Sequence, residues 1–320
     1  MLLIYLSDEG QNRLAAFVLF LNFYNNIPNP MSSLLDLVGN TPLVELKRIN
    51  PNPNVKLFGK LEGNNPGGSV KDRAAYSMIK GALDRGEIKP GVKLIEATSG
   101  NTGIALAMIA RLFDLELELL MPQNSTRERV LTMEAFGAKV LLTETMESAR
   151  DLAEEKAAQG GYFMLNQFAN PDNWKAHYNT TGPEILRDTN QEITHFVSSM
   201  GTTGTIMGVS RYLKEQNSNI QIVGCQPTDG SSIPGIRKWP VEYLPKIFER
   251  ERVDRVVEVT QEDAVLTTRR LANEEAVFAG MSSGGAAWGA IQLAKELKEG
   301  VIVFIICDRG DRYLSSDLFG

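Results

Sequence analysis

Near its C-terminus the chain runs Val301-Ile302-Val303-Phe304-Ile305-Ile306-Cys307, seven apolar residues in succession. That is far too few to cross a bilayer, which takes roughly 20. An unbroken apolar run of strand length marks a strand buried on both faces. Such a strand needs helices above and below it, and the rest of the chain supplies them. VKLFGKL (55–61) reads as a strand, followed by a helix over 71–85. VKLIEAT (92–98) precedes the helical GIALAMIARLF (103–113), LELELLM (115–121) a helix over 126–136, and AKVLLT (138–143) one over 147–159. YFMLN (162–166) leads to a helix over 173–186, THFVSSM (194–200) to one over 205–214, and IQIVGC (220–225) closes that unit. Helices over 262–275 and 284–298 lead into the final strand. Strands alternating with helices over short links predict an α/β fold of parallel sheets covered on both faces. The loop NPDN (170–173) is the candidate domain boundary. Ligands of such sheets bind beyond the carboxyl ends of the strands.

Charge and cysteine content narrow the partners. There are 33 Lys+Arg against 39 Asp+Glu, a net charge of −6, and the pI is near 5.2. Nucleic acid is a poor main partner for such a chain, because phosphate-backbone binding needs a basic face. The two cysteines, Cys225 and Cys307, and the two histidines, His177 and His195, make neither a zinc motif nor a disulfide framework. Cysteine usage of this kind fits a reducing cytoplasm. Residues 1–30 read apart. LAAFVLFLNF (14–23) is apolar but too short to span a membrane. Acids ahead of Arg13, with no small-residue cleavage site, do not make a signal peptide. The segment is either an amphipathic arm docked on the body or on a partner, or an upstream extension of a functional chain that starts at Met31.

Three loops at helix starts could carry chemistry. Thr98-Ser99-Gly100-Asn101-Thr102-Gly103 follows LIEAT and opens into an Ala-rich helix. Its small residues, free N–H groups and hydroxyls suit an anion, and equally suit an ordinary N-cap. Gly201-Thr202-Thr203-Gly204-Thr205 joins glycines and hydroxyls to a helix start, the makings of a phosphate cradle. It lacks the G-x-G-x-x-G spacing of dinucleotide folds. The third loop, GNNPGGSVK (63–71), misses the Walker pattern because Ser69 rather than a lysine follows the second glycine. Its Lys71 is either a solvated surface residue or a deprotonated amine for Schiff-base chemistry.

Taken together, VGNTPLVEL (38–46), KLEGNNPGGSVKDRAA (60–75), EATSGNTGIALA (96–107), GTTGT (201–205) and ICDRGDRYLS (306–315) resemble the cysteine synthases. These are pyridoxal-phosphate enzymes of the tryptophan synthase β-subunit type. Details such as HFVSSMGTTGT and SSIPGIRKWP look most like the thiosulfate-using B isozymes of O-acetylserine sulfhydrylase. The resemblance implies fold type II: two open, mostly parallel twisted sheets flanked by helices. A larger cofactor domain would comprise 31–60 and 174–320, and a smaller substrate domain 61–173, after an N-terminal extension over 1–30. Lys71 would carry pyridoxal 5'-phosphate as a Schiff base, with its phosphate on Gly201, Thr202, Thr203, Gly204 and Thr205. Asn101 would bond the ring hydroxyl, and Cys307 would face the pyridine nitrogen. Thr98, Ser99, Asn101, Thr102 and Gln167 would receive the amino-acid carboxylate. No metal is implied, and a homodimer is.

The implied reaction is β-replacement on O-acetylserine: acetate leaves, giving an α-aminoacrylate, and a sulfur nucleophile adds at Cβ. Lys71 would take and return the Cα proton. Arg237 and Lys238 stand beside Trp239, where thiosulfate's sulfonate could be recognised; the alternative is a basic surface turn. Sulfide and thiosulfate are thus both candidate donors, giving cysteine or S-sulfocysteine. Lys238 stands where the resemblance implies an arginine, which keeps the charge but loses the planar fork. Rival readings are a related β-replacement enzyme or serine/threonine dehydratase of the same fold, a non-catalytic homologue, and a nucleotide-binding dehydrogenase.

Overall fold

The computed structural model describes residues 33–98, 100–123 and 125–320. The apolar leader with its two readings, and Ser99, lie outside them. In chain order come β1 (Leu43–Glu45), β2 (Val55–Leu61), α1 (Lys71–Asp84), β3 (Lys93–Ala97), α2 (Asn101–Leu112), β4 (Leu117–Pro122), α3 (Arg127–Ala135), β5 (Lys139–Thr143), α4 (Met146–Ala158) and β6 (Tyr162–Met164). Then follow α5 (Pro171–Ala176), a π-helical turn (His177–Thr181), α6 (Gly182–Asp188), β7 (His195–Ser199), α7 (Gly204–Gln216), β8 (Gln221–Pro227), β9 (Arg255–Val259), α8 (Gln261–Glu275), α9 (Met281–Glu296) and β10 (Gly300–Ile306).

Two sheets result, ordered β1-β2-β10-β7-β8-β9 and β5-β4-β3-β6. Every pairing is parallel except β1 with β2. The chain builds two strands of the first sheet, leaves to make the whole of the second, and returns to finish the first. β10 sits between β2 and β7. Because side chains alternate across a strand, Ile302, Phe304 and Ile306 pack in one core with α8 and α9. Val303 and Ile305 pack in the opposite core with α6 and α7. The apolar run near the C-terminus is thus filled on both sides, as expected. Among the described residues no helix is long and apolar enough to cross a membrane.

Three expectations need correction. NPDN is not a loop: Asn170 caps α5, its side chain accepting the Asp172 N–H at 2.9 Å, and Pro171 takes the first helical position. The helix read over 173–186 runs on from Pro171 to Asp188, with a π turn at His177–Thr181 inside it. α9 begins at Met281 rather than at Gly284. Its Gly284 faces α8 too closely for any side chain; a Cβ there would lie 2.1 Å from Thr268 Oγ1. β1 and β9 were not anticipated, since edge strands are short and partly exposed.

Charge is buried where the two sheets' connections meet. Lys60 on β2 is fully buried. It donates to the Thr41 carbonyl at 2.6 Å and pairs with Glu184 at 2.9 Å and Asp188 at 3.2 Å. Arg73 pairs with Glu62 at 2.7 Å and Glu184 at 2.7 Å. Burial would raise the Glu184 carboxyl, but Arg73 and Lys60 hold it down to about 2. A carboxylate depressed in the fold contributes stability above its unfolded value near 4.3, and that contribution disappears as pH falls toward 2. Denaturant midpoints should therefore drop between about pH 5 and pH 2. Replacing Lys60 with Met leaves Glu184 to Arg73 alone and Asp188 to Arg187, and should cost about 3 kcal/mol at neutral pH by equilibrium unfolding.

Candidate active site

A cavity of about 340 Å³ opens at the carboxyl ends of the strands, where loops of both sheets converge. Lys71, at the first position of α1, reaches it from the end of the loop before that helix. That loop is stitched to β10: the Val70 N–H donates to the Cys307 carbonyl at 2.8 Å, and Ser69 bridges Asp308. Burial drives the Lys71 ammonium below its ordinary value, only partly offset by Cys307, Asp308 and Glu62. A lysine shifted in this direction gives up its proton more readily than a free one, as Schiff-base and proton-transfer chemistry require. Lys71 is half-buried in the cavity wall rather than on an open surface.

Opposite lies the glycine–threonine loop between β7 and α7. Gly201, Thr202, Thr203 and Thr205 line the cavity, whereas Gly204 stands behind them. Thr203 adopts φ 70°, a costly left-handed conformation for a β-branched residue. Its hydroxyl is buried without a hydrogen-bond partner. Gly201 allows close approach of neighbouring backbone, since a Cβ there would lie 2.7 Å from the Gly235 carbonyl. A strained loop that aims an unsatisfied hydroxyl and a helix N-terminus into a cavity fits a phosphate group. Behind it, His177 sits 3.3 Å from Thr205 Oγ1. Burial, with Arg73 nearby, lowers its imidazole to about 3, so it is neutral.

The third wall comes from the four-stranded sheet. Thr98, Asn101, Thr102 and Gln167 all line the cavity. Thr102 donates to Gln167 Oε1 at 2.9 Å, and Gln167 Nε2 donates to the Ala97 carbonyl at 3.4 Å. Asn101 is engaged more heavily than the resemblance implies. Its Nδ2 donates to Asp308 at 2.7 Å and its Oδ1 accepts from Arg312 at 2.5 Å, which leaves one donor hydrogen and one lone pair for a ligand. Cys307 borders the same cavity. Burial raises its thiol to about 11, so it is neutral despite the nearby Lys71.

Arg237 and Trp239 line the cavity but Lys238 does not. Lys238 turns to Asp229 and Glu258, each at 2.8 Å, so only one of the two adjacent cations faces the site. Trp239 donates its indole N–H to the Gly201 carbonyl at 2.7 Å and meets Phe168 edge-on at 5.5 Å. Sequence reading missed Arg129, Ser282 and Tyr313, which also border the cavity. Arg129 lies over the Tyr313 ring at 5.3 Å, and Tyr313 donates to Asp308 at 2.7 Å. The motif DRGDRYLS contained Asp308, Arg312 and Tyr313; Arg129 lies within the helix expected over 126–136, where no local signal marks it.

Comparison with known proteins agrees with this geometry. The family model described as "Pyridoxal-phosphate dependent enzyme" matches residues 34–308. Cysteine synthase B of Pseudomonas aeruginosa is 59% identical over 290 residues, 90% of this chain and 97% of that protein. Cysteine synthase B of Escherichia coli is 59% identical over 293 residues, covering 91% and 97%. Among solved structures, a cysteine synthase from Entamoeba histolytica superposes with a TM-score of 0.87 at 36% identity, covering 92% of each chain. With a match of this extent, and with a lysine and a phosphate cradle facing one cavity, the chain belongs to the pyridoxal-phosphate dependent enzymes.

Proposed function

We propose that this protein is a cysteine synthase, replacing the acetate of O-acetylserine with sulfur at Cβ. The observation that carries the reading is the convergence on one cavity of a lysine with a depressed ammonium pKa, an unsatisfied Thr203 hydroxyl and the Thr102–Gln167 pair. Cysteine synthase B relatives at 59% identity support it.

Pyridoxal phosphate, when bound, supplies the electron sink that makes the substrate's Cα–H acidic. Lys71 would hold it through Nζ, and Gly201, Thr202, Thr203, Gly204 and Thr205 would receive its phosphate. The spare valences of Asn101 would serve the ring hydroxyl. Cys307 would stand at the ring nitrogen, where a neutral thiol would not hold a proton as a carboxylate does. Thr98, Ser99, Asn101, Thr102 and Gln167 receive the substrate carboxylate. Lys71 Nζ would move the Cα proton, taking it as acetate departs from Cβ and returning it once sulfur has added there. In this reading residues 31–60 and 174–320 form the cofactor domain and 61–173 the substrate domain, and the protein acts as a cytoplasmic homodimer.

Thiosulfate is a second donor in this reading, supported by Arg237 alone at the cavity rim. A guanidinium can bind a sulfonate with several hydrogen bonds, which sulfide does not require.

Two substitutions test these assignments. Lys71→Ala should abolish the visible absorbance of lysine-bound cofactor and lower kcat by at least about 10³-fold; retained turnover overturns the assignment. Arg237→Ala should lower kcat/KM for thiosulfate about tenfold while changing that for sulfide less than about twofold. Equal losses on both donors would return Arg237 to the role of a basic surface residue.

A further inference from the structure

Two loops of the site meet at one buried side chain that does not line the cavity. Gln167 lies just past β6 of the four-stranded sheet, and Thr202 just past β7 of the six-stranded sheet. Between them, in the first turn of α5, stands Asn173, only 2% exposed. Its Nδ2 donates to the Gln167 carbonyl at 2.7 Å and to Thr202 Oγ1 at 3.3 Å. Both hydrogens of the amide are spent on the two loops. Gly204 closes over the same group: a Cβ at 204 would lie 2.0 Å from Asn173 Oδ1 and 2.6 Å from its Cγ.

Each bond has a chemical consequence. With one Thr202 lone pair occupied by Asn173, the hydroxyl's own hydrogen is left to donate, the polarity that an anionic oxygen needs. The bond to the Gln167 carbonyl holds the backbone of the residue whose side chain accepts from Thr102. A phosphate that orders Thr202 therefore orders Gln167 through a single rigid amide, and a carboxylate on the Gln167 side acts back on Thr202.

We infer that Asn173 is a positioning residue that couples the cofactor-phosphate loop to the substrate-carboxylate loop, so that occupancy of either tightens the other. The inference rests on the roles given to Thr202 and Gln167 under Proposed function. Coupling of this kind is reciprocal in binding free energy.

The test uses holoenzyme of wild type, Asn173→Ala, Asn173→Asp and Gly204→Ala. Loss of bound cofactor on dilution is followed by absorbance, with and without saturating 3-acetoxypropionate, the substrate without its amine; KM and kcat for O-acetylserine are measured alongside. In wild type the carboxylate should slow cofactor loss. In Asn173→Ala that protection should disappear, and KM should rise about three- to tenfold with kcat changed by less than about twofold. Asn173→Asp should be worse than Ala, because it sets a carboxylate against the Gln167 carbonyl. Gly204→Ala, a change within the phosphate loop, should also abolish the protection by displacing the Asn173 amide; Asn173→Asp, which keeps the side chain's shape but not its donors, decides the matter alone if Asn173→Ala does not accumulate as folded protein. Protection retained in these variants, or a fall in kcat at unchanged KM, overturns the coupling. So does a wild type that holds cofactor but gains no protection. A wild type that holds no cofactor would instead overturn the underlying functional reading.

Discussion

The buried pairing of Arg73 with Glu62 and Glu184, extended through Lys60, is the interaction on which the rest of the site depends. Arg73 lies two residues beyond Lys71 on α1, Glu62 follows β2, and Glu184 is on α6. Opposite charges at such depth are costly to bury and become tolerable only with close geometry and satisfied hydrogen bonds. Here the guanidinium also donates to Thr41 and Thr180, and the Asn40 N–H donates to Glu184. Once formed, the cluster admits one relation between α1, β2 and α6, and so one position for the lysine amine.

Around that anchor the site trades local comfort for readiness. Thr203 sits in a left-handed conformation with a buried hydroxyl unsatisfied, and Lys71 is an ammonium disfavoured by its surroundings. Both are local conflicts that folding alone gives no reason to keep, and in the reading proposed above a phosphate-bearing aldehyde would engage both groups. Strain of this sort clusters where function requires it. The neutral Cys307 thiol and the neutral His177 imidazole show the same economy: burial fixes their protonation, so neither competes with Lys71 for protons near neutral pH.

Legibility in the sequence followed from how local the governing physics is. β10 was evident because a continuous apolar run has few other fates, and the helices because their periodicity and caps are encoded within one turn. β1 and β9 were not, since their pairing partners rather than their own residues make them strands. Lys60 and Arg73 carried no local sign of burial, because Glu184, which pairs with both, lies more than a hundred residues further along the chain. Arg237 and Lys238 are adjacent, yet one lines the cavity and the other is drawn off by Asp229 and Glu258.

By itself the sequence determined the alternation of strand and helix, the three helix-start loops and the lysine that opens α1, because turn residues, small residues and apolar runs act over a few neighbours. Only the tertiary structure decided which of those loops face one another, that Asn173 stands between two of them, and that burial shifts the lysine on α1 below its ordinary value. Those outcomes depend on distances between residues far apart in the chain, and burial, charge pairing and hydrogen-bond satisfaction are set by those distances alone.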